Sequence, residues 1–427
     1  MNSSTHITIT ISRGWLTTVG ATGIGLVLGI LYVWSVVKAG IPDAWGWSNA
    51  DKALPYSIMA IAFSIAMVPA GRLQDRIGPR LIIMIGGFLT GLGCIICGLG
   101  GNSLLAYVIG FGIITGTGVG FGYSALTPTA MKWFPPEKTG LIVGIVVSGS
   151  GLAPVFLAPI SAWALTFFQT TNSQGVIEKG VPATMIVLGL GIWLVVGTLV
   201  SLIRTPPLGF SPTPEKQIHS SKPKNIPSAD ATWKQMLATV QFWLLFCMFF
   251  AGSSTGLIFI SVASDLGKKT LGTWAFLAVI VLSFGNTGGR LLAGFISDKI
   301  GRMATLFAEF VCQGLIVSLL FWLTKSGGGS WPIVLFVVFM IGLNYGSNHT
   351  LFPATCKDYY GINNFGFNYG LLFSAFGTAG LIMPWLNGLL QDITGKPDIS
   401  YIMIICMMAA SAILALVSLR MGPPRTL

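Results

Sequence analysis

Apolar runs of about 20 residues recur along nearly the whole of this chain, each long enough as a helix to cross a hydrocarbon core of about 30 Å. Hydrophobic side chains make up 53% of the 427 residues and charged ones only 9%, far from the balance of a soluble domain. The chain reads as an all-α integral membrane protein, with nothing left over for a soluble catalytic domain. Hydropathy places twelve helices at roughly 15–37, 54–73, 81–99, 104–131, 140–168, 182–203, 238–263, 272–296, 303–325, 331–354, 367–391 and 399–420.

One long hydrophilic stretch, Arg204 to Lys234, interrupts the series and is rich in Pro, Ser and Lys. Its low hydrophobicity makes it a linker with a short surface-lying helix near Trp233 rather than a folded domain. The expected organisation is an N-terminal six-helix bundle over 1–203, a cytoplasmic linker over 204–237 and a C-terminal six-helix bundle over 238–427.

The formal charge of +11 suggests a polyanionic partner, but a nucleic-acid surface gathers its basic residues on one face. Here they sit in short loops. With a cytoplasmic N-terminus, alternate loops place 16 Lys or Arg on the cytoplasmic side and 7 outside, leaving Arg290 within the membrane. The positive-inside rule then sets both termini in the cytoplasm, and the basic balance needs no nucleic acid. The run from Trp15 to Val37 is too long for a signal-peptide core and is expected to stay as the first span.

Five of the six cysteines fall inside apolar spans, so no disulfide framework is expected, and the Cys94-x-x-Cys97 pair reads as small core residues. No HExxH, GxSxG, P-loop or metal-ligand cluster occurs, so no enzyme, metal or cofactor is expected.

An internal repeat supports the two bundles. Gly71, Asp75, Arg76, Gly78 and Arg80 follow the second helix, and Gly294, Asp298, Lys299, Gly301 and Arg302 follow the eighth, 223 residues later. In each copy a glycine is expected to allow close helix approach, the Asp to cap the N-terminus of a neighbouring helix, and the cations to stay at the cytoplasmic interface in a gating turn.

These paired turns resemble the signature of the major facilitator superfamily, which implies two pseudo-symmetric six-helix bundles. The stretches GTGVGFGYSALTPTAMKWFPPEKTGLIVG (116–144), TVQFWLLF (239–246), GRLLAGFISDKIGR (289–302) and LFPATCKDYYGINNFGFNYG (351–370) resemble the oxalate/formate antiporter family and the related monocarboxylate transporters. That resemblance implies a bacterial cytoplasmic-membrane carrier of small organic anions, acting as a monomer by proton symport or anion exchange.

Within the eighth helix Ser283, Asn286, Thr287 and Arg290 share one polar face. An unpaired cation at the bilayer centre costs at least about 2.5–3.5 kcal/mol on insertion scales, which marks Arg290 as a functional candidate. Of the thirteen acids only Glu309 lies more than a turn inside a span. It is expected to pair with the basic turn at Arg302, or alternatively to serve in proton coupling. Arg290 is then left for a substrate carboxylate, which a guanidinium grips bidentately. The plainer alternative is that it bonds backbone carbonyls or aromatic faces.

Tyr345 and His349 share a face of the tenth helix, and His349 is a second proton-coupling candidate. Tyr123 follows the run Gly116, Gly118, Gly120 and Gly122, which suits close helix packing. The resemblance places these residues with Tyr32, Phe373 and Phe376 around the substrate. It also exposes two departures. The oxalate exchangers carry a lysine where this chain has Phe376, and animal monocarboxylate transporters an aspartate where it has Asn286. One cation balances one negative charge, so a second carboxylate would cost several kcal/mol. A lactate-, pyruvate- or formate-type monocarboxylate is favoured over an oxalate-type dicarboxylate; a non-transporting carboxylate sensor is the alternative from another class.

Overall fold

The computed structural model describes residues 3–134, 139–171, 177–207, 210, 231–326, 330–361 and 364–424. Twelve of its helices are long and apolar enough to cross a membrane: α1 (Arg13–Lys38), α2 (Asn49–Gln74), α3 (Pro79–Leu99), α4 (Leu104–Met131), α5 (Ile142–Phe167), α6 (Val181–Leu202), α7 (Val240–Val262), α8 (Phe276–Ile300), α9 (Arg302–Lys325), α10 (Trp331–Tyr360), α11 (Phe367–Thr394) and α12 (Asp398–Met421). The linker core, 211–230, lies outside the described residues. The expected surface helix is present as Trp233–Leu237, opened by a capping box between Thr232 and Gln235.

α1 to α6 form one bundle and α7 to α12 the other, and the halves meet along two long seams, α2 with α11 and α5 with α8. Large apolar side chains such as Leu99, Leu194, Leu315 and Ile393 stand exposed on the outside. This is the inverse of a soluble surface and suits a hydrocarbon solvent.

Backbone contact, not side-chain bulk, fixes the helix carrying Arg290. A Cβ at Gly285 or Gly289 of α8 would overlap backbone atoms of Phe339 or Leu343 on α10. One at Gly342 or Gly346 would overlap the carbonyls of Leu282 or Asn286 in return. Thr350 Oγ1 donates to the Arg290 carbonyl at 2.9 Å and tightens the same seam. The expected glycine seam of α4 is also seen: Cβ atoms at Gly116 and Gly120 would stand 2.7 and 2.6 Å from the Met59 and Phe63 carbonyls of α2, and one at Gly118 would stand 2.5 Å from the Thr90 amide of α3.

Three local features depart from the sequence reading. α4 contains a π-helical stretch, Val108–Thr115, which no apolar periodicity announces. Helical structure continues through the first part of both repeat turns, to Ile77 and Ile300, so Gly71 and Gly294 sit within helices. A Cβ at Gly71 would meet nothing within 4 Å, and one at Gly294 only the Thr350 methyl at 3.4 Å, so neither serves close approach here. The glycines the turns require are Gly78 and Gly301, at φ +86° and +92°, where an L side chain is strained.

Gly289→Ala is expected to lower the thermal unfolding midpoint in detergent by an amount equivalent to about 1–3 kcal/mol of overpacking, whereas Gly71→Ala leaves it unchanged. Melting curves of the two purified variants check the contrast.

Candidate functional site

The residues that surround Arg290 come from both bundles. α1 is overwound to a 3-10 turn over Gly29–Val33. Gly29 allows that turn to lie against Ser150 and Ala153 of α5, where a Cβ would stand 2.8 Å from the Ser150 carbonyl. Tyr32 is thereby brought opposite Arg290.

The Arg290 side chain is 3% exposed. Its Nε donates to Asn286 Oδ1 at 3.1 Å, Nη1 to the Val147 carbonyl of α5 at 2.7 Å, and Nη2 to the Tyr32 hydroxyl at 3.4 Å. Two of these partners belong to the opposite bundle. The Ser283 hydroxyl also donates to the Gly151 carbonyl across the same seam. No described carboxylate lies within ion-pair distance of Arg290. Backbone bonding, the plainer alternative, is thus realised in part, and every partner is uncharged.

Around the guanidinium, Asn286 Nδ2, Thr287 Oγ1 and the Tyr345 hydroxyl are buried without a hydrogen-bond partner. Buried polar groups left unpaired cost about 1–3 kcal/mol each. Three such groups, each with a proton to donate and clustered beside an uncompensated cation, form a surface suited to an anion with several acceptor oxygens.

The remaining wall is aromatic. Tyr345 meets Tyr32 edge-on at 6.4 Å between centroids and His349 at 4.8 Å. His349 meets Phe376 at 5.5 Å, and Phe376 stacks on Phe373 at 4.8 Å. Tyr123 contacts Phe63, which also touches Phe373 and Phe376. A small cavity lined by Leu28, Tyr32, Phe63, Tyr123, Ser150 and His349, among others, opens between them, with about 10 Å³ of room for the centre of a water-sized sphere. His349 Nδ1–H donates to the Tyr345 carbonyl at 3.2 Å, which leaves Nε2 for another partner.

The structure therefore brings together Arg290, Asn286, Tyr32, Tyr123, Tyr345, His349, Phe373 and Phe376. Phe63 and the Val147 carbonyl were not foreseen: one is another Phe in an apolar helix, the other a backbone atom with no residue signal. Lys38, a loop cation by hydropathy, ends α1 and is 8% exposed.

Glu309 does not meet Arg302. The Arg302 guanidinium binds Asp298 at 2.7 Å and Asp358 at 3.2 Å, and donates to the Ser297 hydroxyl. Two nearer acids saturate the fork, so Glu309, two turns on, is buried with Oε2 unpartnered, as are both amide atoms of Gln313 one turn beyond. The described ion pairs of the second repeat turn lie within the C-terminal bundle, and Lys299 rests over the Phe295 ring at 4.1 Å. Arg80 is exposed; the side chains of Asp75 and Arg76 lie outside the described set.

The sequence profile of the Major Facilitator Superfamily matches residues 16–384. The chain is 27% identical to the oxalate:formate antiporter of Oxalobacter formigenes, over 93% of this chain and 90% of that one. It is also 27% identical to monocarboxylate transporter 11 of Mus musculus, over 97% and 88%. A bacterial homolog of the human lysosomal transporter Spinster, solved in an inward-facing and occupied conformation, shares the fold with a TM-score of 0.66 at 15% identity, over 95% of this chain and 96% of that one.

Asn286→Asp places a carboxylate against Arg290 Nε. Thermal unfolding is expected to show a gain of about 1–2 kcal/mol at neutral pH, because the cation has already been desolvated, and the gain vanishes on acidification as that carboxylate protonates.

Proposed function

The chain belongs to the Major Facilitator Superfamily, and on that premise we propose that it is a secondary transporter of small monocarboxylate anions, of the lactate, pyruvate or formate type, working by alternating access. The observation that carries the reading is Arg290, a buried cation between the halves whose described partners are all neutral. A carboxylate entering there would replace the Val147 carbonyl and the weak Tyr32 contact with a bidentate, charge-assisted pair. Asn286 Nδ2, Thr287 Oγ1 and the Tyr345 hydroxyl would donate to its oxygens, while Phe63, Phe373 and Phe376 would enclose a short apolar body.

The geometry supports a singly charged solute. Phe376 is fully buried among His349, Phe63 and Phe373, so the wall facing a second carboxylate would be aromatic rather than cationic. Two groups are candidates for a coupling proton, His349 inside the site and Glu309 behind it. The relatives named above include an antiporter, which supports exchange as readily as symport. We place the division between bundles at 204–237 on the hydrophilic linker, both termini in the cytoplasm on the positive-inside count, and the chain as a monomer in a bacterial cytoplasmic membrane on its likeness to the relatives named above. The two repeat turns would then lie at the cytoplasmic gate.

Arg290→Lys keeps the charge and loses the fork, and less than about a tenth of wild-type transport should remain; near-normal uptake would sink the assignment of Arg290. Phe376→Lys should move preference toward dicarboxylates in competition assays, and unchanged selectivity would mean that α11 does not read charge. Proteoliposomes decide the coupling. Uptake that needs a loaded counter-anion and ignores a pH gradient identifies exchange, whereas uptake into empty vesicles driven by an acidic exterior identifies symport.

A further inference from the structure

The first turn of α2 is not capped by its own sequence alone. Ser48 is its N-cap: the hydroxyl accepts from the Asp51 amide at 3.1 Å, and the Asp51 carboxylate returns the bond to Ser48 N at 3.0 Å. The next two amides, of Asn49 and Ala50, go elsewhere. They donate to the two carboxylate oxygens of Asp392, at 3.2 and 3.0 Å, and the Asn49 side-chain amide adds a third bond at 2.9 Å. Asp392 lies near the end of α11, in the other bundle. One turn earlier on α11, a Cβ at Gly388 would stand 2.9 Å from the Asn49 carbonyl and 3.1 Å from the Ala50 Cα. Bare backbone therefore lets the two helix ends touch. Farther in, the α2–α11 seam continues through Ala60 against Gly380 and Ser64 against Gly377.

We propose that Asp392 is an outer-gate latch: a carboxylate of the C-terminal half completes the N-cap of α2 in the N-terminal half when the outer face is closed, and releases it when that face opens. The inference rests on the alternating-access reading above. A carboxylate at a helix N-terminus meets both orphan donors and the positive end of the helix dipole. Asp392, Ser48 and Asn49 are exposed and Ala50 and Asp51 half-buried, so water can serve both sides once they part. The contact biases the closed state without locking it. The bonds reach across the seam between the halves, which an ordinary helix cap does not require.

The test uses accessibility and needs no substrate. Ser57 is fully buried on α2, two turns or about 10 Å inward from Ala50. Labelling of Ser57→Cys by a membrane-impermeant maleimide applied from outside reports outward opening, with the otherwise wild-type chain setting the background of its native thiols. Adding Asp392→Ala should raise the labelling rate about threefold to tenfold. Asp392→Asn, which keeps an acceptor and loses the charge, should fall between, and Gly388→Ala should act like Asp392→Ala by wedging the ends apart. Val68→Cys, near the opposite end of the same seam, should label from the cytoplasmic side no faster than before. A rate at Ser57→Cys that Asp392→Ala and Gly388→Ala both leave unchanged overturns the latch. So does faster labelling at both ends, which means general loosening. If the latch variants respond while monocarboxylate uptake is absent, the latch stands and the substrate assignment falls.

Discussion

A guanidinium held in the membrane by neutral groups alone sets the terms for the rest of this structure. Arg290 obtains one partner from its own helix and two from the opposite bundle, and no described carboxylate neutralises it. Its desolvation is only partly offset by the Val147 carbonyl and the Asn286 amide oxygen, because dipoles compensate a full charge incompletely at low dielectric. The guanidinium is therefore one of the places where the halves are joined, and under the proposed function it is the place where an incoming anion would be most stabilising.

The scaffold holds that side chain by unequal means. On the C-terminal side, α8 and α10 touch backbone to backbone through glycines, so that Arg290, Asn286 and Tyr345 stand on one close-packed helix pair. Across the seams the contacts are of another kind: hydrogen bonds from Ser283 and Arg290 to carbonyls of α5, aromatic edges between Phe63 and α11, and the Asp392 carboxylate on the first turn of α2. Close glycine packing is expensive to deform, while single hydrogen bonds and ring edges can be exchanged for water or solute at small net cost. Rigid halves and soft seams are what a rocking mechanism needs.

Much of the site was legible because rare features stand out against an apolar background. One arginine in a hydrophobic run, a tyrosine and a histidine one turn apart, and two copies of a glycine-acid turn are improbable by composition, and the structure gathers the arginine, the tyrosine and the histidine at one place. The misreadings have a common origin. Proximity in sequence points Glu309 to the basic turn at Arg302, but Asp298 and Asp358 occupy that guanidinium. The motif does not say which of its glycines the first turn needs: a Cβ at Gly71 would meet nothing within 4 Å, and the positive φ falls at Gly78. Hydropathy ends the first span before Lys38, which the fold buries at the end of α1. Each error concerns which neighbour a side chain meets, and spacing along the chain does not encode that.

The sequence by itself determined the membrane class, the twelve spans, the repeated architecture and the arginine in the middle of the eighth span. These follow from the cost of placing polar groups in hydrocarbon, a cost each residue carries wherever it folds. Only the tertiary structure decided that Val147, through its backbone, competes for that cation, that Phe63 closes the aromatic wall, and that Asp392 completes a helix cap in the other half. Those are pairings of groups far apart in the chain, one of them a carbonyl that every residue possesses, and their energies exist only once the two bundles have met.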